Sequence, residues 1–192
     1  QRGGQSTAEL LPELLAQVVK DLPAPRKMRW GSEPTPFVRP VAWLLALLGT
    51  AVLTVEAAGV RSGGTTRGHR FLAPHDVEVP SPDAYLNVLE AAWVLADRAR
   101  RRQLTAESVA RVVQEAGLEP YHDAELLDEV TDLVEWPFPI LGAFEDEYLE
   151  LPEEVLATVM ITHQRFFPTR DRAGGLAARF VGVSNNRVQD ED

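Results

Sequence analysis

Two short stretches of this 192-residue chain set cations beside aromatic rings: Arg26-Lys27-Met28-Arg29-Trp30 and Arg67-Gly68-His69-Arg70-Phe71. Guanidinium groups hold phosphate and a neighbouring ring stacks on a base, so this mixture suits nucleic acid. In the second stretch Gly68 also permits a close backbone approach. The plainer account of both is surface charge next to two core aromatics. Arg98, Arg100, Arg101 and Arg102 read most simply as a solvated helix start or connector.

Other chemistries find less support. Ser62-Gly63-Gly64 has the glycines of a phosphate loop but no following helix and no Gly-Lys-Ser/Thr, so a turn is the better account. His69, His75, His122 and His163 are widely spaced and form no His-x-x-x-His pair, which argues against a metal. His163 shares helical spacing with Leu156, Val159 and Met160 and is expected as a core or edge residue. With no cysteine, thiol nucleophiles, thiolate metal sites and disulfide scaffolds are excluded. Carboxylates crowd residues 116–157, and pairs such as Asp128/Asp132 and Glu125/Glu129 fit the outer face of a helix. No Gly-x-Ser-x-Gly nucleophile elbow occurs.

Charge is polarised along the chain. Residues 1–75 hold nine bases and five acids, whereas residues 116–157 hold thirteen acids and no Lys or Arg. The net charge of −10 argues against a domain that coats nucleic acid non-specifically, yet leaves room for a local basic face in residues 1–75. The acidic block reads as solvated helix faces; a docking surface for a basic partner is the sharper alternative. At 45% apolar and 25% charged, the chain can bury a core. Its longest apolar run, 41–49, falls far short of the ~20 residues that span a membrane.

The elements that must position these residues follow from pattern. Ser6 to Glu9 has capping-box spacing ahead of Leu10, Leu11, Leu14, Leu15, Val18 and Val19. Pro12 either kinks this helix or lies in its first turn. Residues 22–40 hold five prolines and read as an extended connector. Residues 41–48 and 51–57, around Gly49-Thr50, suggest a hairpin, although the first run also suits a short buried helix. Residues 59–71 read as a loop ending in a strand, 77–79 as a strand, and Ser81-Pro82-Asp83 as a helix start. Residues 93–96 suggest a further short strand. A helix carrying Val109, Val112, Val113 and Ala116 stops at Gly117, and another carries Leu126, Leu127, Val130, Leu133 and Val134. Residues 140–144 are strand-like, Pro152 opens a helix, and a second hairpin covers 165–183. About six strands and five helices out of strict alternation predict an α+β fold, a mostly antiparallel sheet with helices packed on it. One α+β domain is expected over 1–192: a helix and connector at 1–40, a main body at 41–188 and a frayed tail at 189–192.

The order of motifs then carries a resemblance. Met28-Arg29-Trp30-Gly31, Phe37-Val38-Arg39-Pro40-Val41-Ala42-Trp43, Arg67-Gly68-His69-Arg70-Phe71, Leu133-Val134-Glu135-Trp136-Pro137, Leu149-Glu150-Leu151-Pro152-Glu153-Glu154-Val155-Leu156, His163-Gln164-Arg165-Phe166-Phe167-Pro168 and Phe180-Val181-Gly182-Val183-Ser184-Asn185 follow one another. Leu126-Leu127-Asp128-Glu129-Val130 precedes the Leu133 block. The series resembles the N-terminal half of the β subunit of bacterial heterotetrameric glycyl-tRNA synthetase, over nearly the whole chain. One departure is Phe166-Phe167 where the family pattern has Tyr-Phe.

That resemblance implies a ligase joining glycine to its tRNA at the expense of ATP, with the adenylate-forming site in a separate α subunit. It implies an α2/β2 assembly, a cytoplasmic setting, tRNA for glycine as partner, and no membrane. This chain is then a fragment lacking the subunit's first segment and its C-terminal parts, the anticodon-binding module included. Its fold is expected to resemble the editing-type domain of the phenylalanyl-tRNA synthetase β chain, an analogy of fold alone. The resemblance supplies no catalytic residue, no cofactor site and no metal site here. Arg29, Arg67, Arg70 and Arg165 are the candidates for a tRNA-facing or subunit-facing surface. Two other roles remain open: a docking module that touches no RNA, and a vestigial editing domain.

Overall fold

The computed structural model describes residues 4–31 and 35–187, and the expected frayed tail at 189–192 lies outside them. The chain divides into two compact units, 1–92 and 93–192, where the sequence suggested a single main body over 41–188.

The first unit opens with α1, Thr7–Asp21. The Ser6 N–H donates to Glu9 Oε2 at 3.0 Å, so the acid three residues on closes the first turn. Pro12 lies inside this helix. It therefore neither starts the helix nor sits in its first turn; the cost is the N–H that would reach Ala8. The connector is irregular, with one bridge in which Met28 and Phe37 exchange backbone hydrogen bonds of 2.8 and 3.0 Å.

The expected hairpin forms at Gly49-Thr50, but its strands are only β1, Leu47–Leu48, and β2, Ala51–Val52. The preceding residues are neither a long strand nor a helix. Leu45 instead makes a parallel bridge to Gly63. A hairpin unseen in the sequence follows, β3 Glu56–Ala57 with β4 Val60–Arg61. Its turn places Ala58 and Gly59 at φ 49° and 76°, the two left-handed residues that match strand twist. Ser62 locks the two hairpins together. Its hydroxyl accepts from Val55 N–H at 2.8 Å and donates to the Leu53 carbonyl at 2.5 Å. Strands β5, Thr65–Arg67, and β6, Asp76–Glu78, then pair with Arg67 opposite Asp76. The loop expected to end in a strand near Phe71 thus reaches its strand four residues early. A 3-10 turn at Pro82–Ala84 leads into α2, Tyr85–Ala91, as Ser81-Pro82-Asp83 predicts. Leu53, Val55, Val79, Leu89 and Ala92 form the buried apolar interior of this unit.

The second unit begins with a correction. Residues 93–96 form no strand: Trp93 takes a left-handed φ of 62°, and the Leu95 N–H donates to the Glu135 carbonyl at 3.0 Å. Asp97 then caps α3, Arg98–Glu115, accepting from the Ala99 and Arg100 amides at 2.8 and 3.2 Å. The arginine stretch is therefore the first turn of a long helix. Gly117, at φ 71°, ends it: the Gly117 and Leu118 amides reach back to the Gln114 and Val113 carbonyls. After β7, Glu119–Pro120, Asp123 caps α4, Ala124–Leu133, through the Leu126 amide at 2.8 Å.

Strand β8, Phe138–Ala143, contains Pro139 and occupies a sheet edge, where a missing N–H is tolerated. Helix α5, Glu153–Thr158, runs into a π turn at Val159–Gln164, and β9, Phe167–Arg170, and β10, Leu176–Ser184, complete the unit. The sheet is antiparallel, in the order β7-β9-β10-β8. Val109 and Val113 of α3 and Leu126 and Val130 of α4 pack on Phe167 and Val181 of the sheet. Each such side chain, fully buried, contributes about 1.5–3 kcal/mol. The fold is α+β, with small antiparallel sheets and helices packed on the largest. No helix among the described residues is long and apolar enough to cross a membrane.

Candidate nucleic-acid interface

The turn after β5 divides Arg67-Gly68-His69-Arg70-Phe71 into inward and outward halves. Gly68 packs so closely that a Cβ there would lie 2.7 Å from the Ala73 carbonyl oxygen and 2.9 Å from the Ala92 Cβ. His69 is completely buried, and its Nδ1 accepts from the Phe71 and Leu72 amides, each at 3.2 Å. Its own N–H donates to the Ala92 carbonyl at 2.9 Å. The imidazole is thus the keystone of a turn.

Arg67, Arg70 and Phe71 face outward. Phe71 is 64% exposed, and the Arg70 guanidinium carbon lies 5.7 Å from its ring centroid. Arg67 Nε lies 3.3 Å from Asp76 Oδ1, and its guanidinium sits 5.0 Å from the Trp43 ring centroid. Both members of the Arg67–Asp76 pair are more than half exposed, so it is weak and yields readily to a competing anion. Each of the two arginines of this segment therefore meets a ring, Arg70 that of Phe71 and Arg67 that of Trp43 from an earlier stretch, the arrangement that holds a phosphate beside a base.

The other two candidates lie elsewhere. Arg29 is exposed in the connector, beside Met28 of the bridge to Phe37. Arg165 belongs to the second unit and is committed internally. It ends the π turn at φ 58°, its Nε lies 2.5 Å from Glu129 Oε1, and its Nη1 donates to the Ile161 carbonyl at 3.4 Å. The structure thus brings Arg67 and Arg70 to one turn, leaves Arg29 on a separate stretch, and gives Arg165 a role in joining the π turn to α4.

Sequence reasoning missed a groove in the first unit. It has a volume of about 410 Å³, and its lining includes Trp43, Leu45, Thr66, Val79, Pro82 and Tyr85. Trp43 closes the Phe37–Trp43 motif, but the regular strand expected around it hid its exposure. His163, expected at a core or edge position, is exposed. The wider π turn advances each residue by less than the ~100° of an α-helix, carrying His163 away from the buried side of α5.

The remaining motif blocks serve the fold. Asn185 Oδ1 accepts from the Glu135 and Trp136 amides at 2.6 and 3.3 Å, tying the end of β10 to the turn after α4. Trp136 meets Trp93 edge-on at 4.9 Å, and the Arg187 guanidinium lies 4.9 Å from the Trp93 ring. Arg98 and Arg102 of α3 pair with Asp128 of α4 at 3.3 and 2.7 Å, and Arg98 with Asp132 at 2.8 Å. The Asp128 and Asp132 carboxyls are held below their ordinary range, chiefly by hydrogen bonds from Arg102 and Arg98 respectively. Among the described residues, no three His, Asp or Glu side chains converge as metal ligands.

Comparison with known proteins places this sequence in a family. The sequence model of the glycyl-tRNA synthetase beta subunit matches residues 1–192. The glycine–tRNA ligase beta subunit of Moorella thermoacetica is 47% identical over 182 residues, which cover 95% of this chain and 26% of that protein. The Myxococcus xanthus protein of the same name is 45% identical over 188 residues, 98% of this chain and 27% of the relative. For that of Bacillus subtilis the identity is 42% over 184 residues, 96% and 27% of the two chains. This chain thus spans about a quarter of the length of the curated relatives it matches. On the match of the family model across residues 1–192 and these identities, the chain belongs to the glycyl-tRNA synthetase beta subunit family.

Proposed function

We propose that this chain contacts tRNA through the first unit, within a β subunit that supports ATP-dependent attachment of glycine to its tRNA. The carrying observation is the outward half of the turn after β5, where Arg67, Arg70 and Phe71 stand exposed around a buried His69. Arginine gives phosphate two parallel donors, and the adjoining rings favour a base over a bare anion. Chemistry belongs to the assembled enzyme: a partner α subunit forms the adenylate with ATP, in a cytoplasmic α2/β2 complex, and this chain supplies no catalytic group or cofactor ligand. Arg29, exposed in the connector, is a separate candidate for phosphate contact. Arg165 acts through the fold instead, since Glu129 already holds it. The α+β architecture supports a likeness to the editing-type domain of the phenylalanyl-tRNA synthetase β chain, by analogy of fold alone.

The test uses the assembled two-subunit enzyme carrying Arg67→Ala with Arg70→Ala. Glycine tRNA is titrated at two salt concentrations, with a non-cognate tRNA alongside. The expected result is weaker binding with a shallower salt dependence, the slope falling by ~0.9 for each lost duplex phosphate contact or ~0.7 for a single strand. Unchanged affinity and charging rate would overturn the reading.

A second reading, a docking module free of RNA, draws on the second unit. Residues 116–157 hold thirteen acids and no Lys or Arg, a stretch that repels phosphate.

A further inference from the structure

We infer that the groove of the first unit is a nucleobase-binding site, which receives an unstacked base of the tRNA while Arg67 holds an adjoining phosphate. The inference rests on the tRNA-contact reading above and adds a site and a ligand chemistry to it.

Four observations point to a base. The first is size: about 410 Å³ lies at the small end of the ~300–1,000 Å³ range of small-molecule sites. The second is the walls. Trp43 and Tyr85 line the groove, yet the two residues are 44% and 36% exposed, so ring surface stays in water. Aromatic surface of this kind gains most from a flat π-system, and a base stacks on it whatever its identity. The third is the rest of the lining: Leu45, Val79 and Pro82 are apolar and suit the flat face of a base. The fourth is charge. Arg67 lies over Trp43 at 5.0 Å, and Asp76, its ion-pair partner among the described residues, is itself exposed. An aliphatic side chain from a protein partner would cover the apolar lining but make no use of that cation. A nucleotide engages ring, apolar lining and cation together.

The strands explain why the site forms here. Thr66 is buried in β5, so the alternation of the strand turns Arg67 outward beside it. The helix start at Pro82 sets Tyr85 one turn later, where it lines the groove as well. Trp43 is held by its neighbours: the Leu44 carbonyl accepts from the Gly63 amide at 2.9 Å, and Leu45 bridges to Gly63.

The experiment compares four forms of the assembled two-subunit enzyme in equilibrium binding of glycine tRNA at two salt concentrations. They are wild type, Trp43→Ala, Trp43→Tyr and Tyr85→Leu. Arg67→Ala with Arg70→Ala is run as the phosphate control. Subunit association is measured on every form, and thermal melting confirms that each is folded. The expected result is a ~5- to ~150-fold loss of affinity for Trp43→Ala, the span of one base–aromatic stack, with the salt slope unchanged. Tyr85→Leu, which keeps apolar bulk and removes the ring, should lose affinity in the same way, and Trp43→Tyr should restore most of it. If the arginine variant weakens binding and both ring variants bind as wild type, the tRNA reading stands and the groove inference falls. If neither class changes affinity, both fall. If the ring variants loosen subunit association while tRNA affinity holds, the groove takes a protein side chain and the inference is overturned.

Discussion

His69 decides most at the scale of the residue. A histidine between two arginines invites a reading as a ligand or a base. Its burial and the two amides on Nδ1 assign it to the turn instead. Replacing it by Ala removes the acceptor of both amides and opens a cavity, so His69→Ala should lower stability by about 2–4 kcal/mol. Denaturant unfolding measures this; a loss below ~0.5 kcal/mol would mean that the turn stands without the ring. Gly68→Ala should also destabilise, by about 1–3 kcal/mol, because the new methyl meets backbone that has little room to move. Both changes would weaken tRNA binding only through the fold. Arg70→Ala, on an exposed side chain, should leave the melting temperature within a degree or two of wild type. A melting curve on that variant separates the outward half of the motif from the inward half.

Capping and charge set the elements. Asp97 holds the start of α3 through two amides, and Asp97→Ala should cost about 1 kcal/mol in denaturant unfolding. The α3–α4 contact carries a pH dependence of known sign. The folded-state pKa values of Asp128 and Asp132 are lowered from an ordinary 3.8. Their contribution is therefore complete above that value and is lost as pH falls through the lowered folded-state values. Asp128→Asn with Asp132→Asn should melt earlier than wild type at neutral pH, and the gap should close on acidification well below 3.8. A gap that kept its full size in strong acid would show that the pairs contribute nothing through ionisation. Both carboxylates are about half exposed, so added salt should narrow the gap as well.

Across the whole molecule the charge follows the two units. Residues 1–92 hold nine bases and nine acids, and residues 93–192 hold ten bases and twenty acids, so the second unit carries the entire net charge. Phosphate meets a neutral unit with local arginines on one side of this boundary and a repelling one on the other. Ultraviolet crosslinking of glycine tRNA to the assembled enzyme should therefore label peptides of residues 1–92 and spare 116–157. Crosslinks concentrated in the acidic stretch would reject the assignment of RNA contact to the first unit.

The family, the α+β class and the helices were legible in the linear pattern because they depend on neighbours in sequence. Ser6 with Glu9, Gly117 after its helix, Ser81-Pro82-Asp83 and the spacing of Leu126, Leu127 and Val130 in α4 each act within a few residues, and the structure keeps these, whereas Leu133 is exposed and Val134 lies just past the helix. The cation–aromatic segment was legible too, as a candidate. What it does with its side chains was decided by contacts distant in sequence. Ala92 closes on Gly68 and takes the His69 amide, Trp43 lies under Arg67 from 24 positions away, and Glu129 claims Arg165 across 36. The strand expected at 93–96 failed for the same reason: Leu95 satisfies its amide with Glu135, forty residues on, and needs no ladder. Local chemistry encodes where helices start and stop. Burial and pairing between segments decide which arginine is a fastener, which histidine is a keystone and which tryptophan faces an open groove.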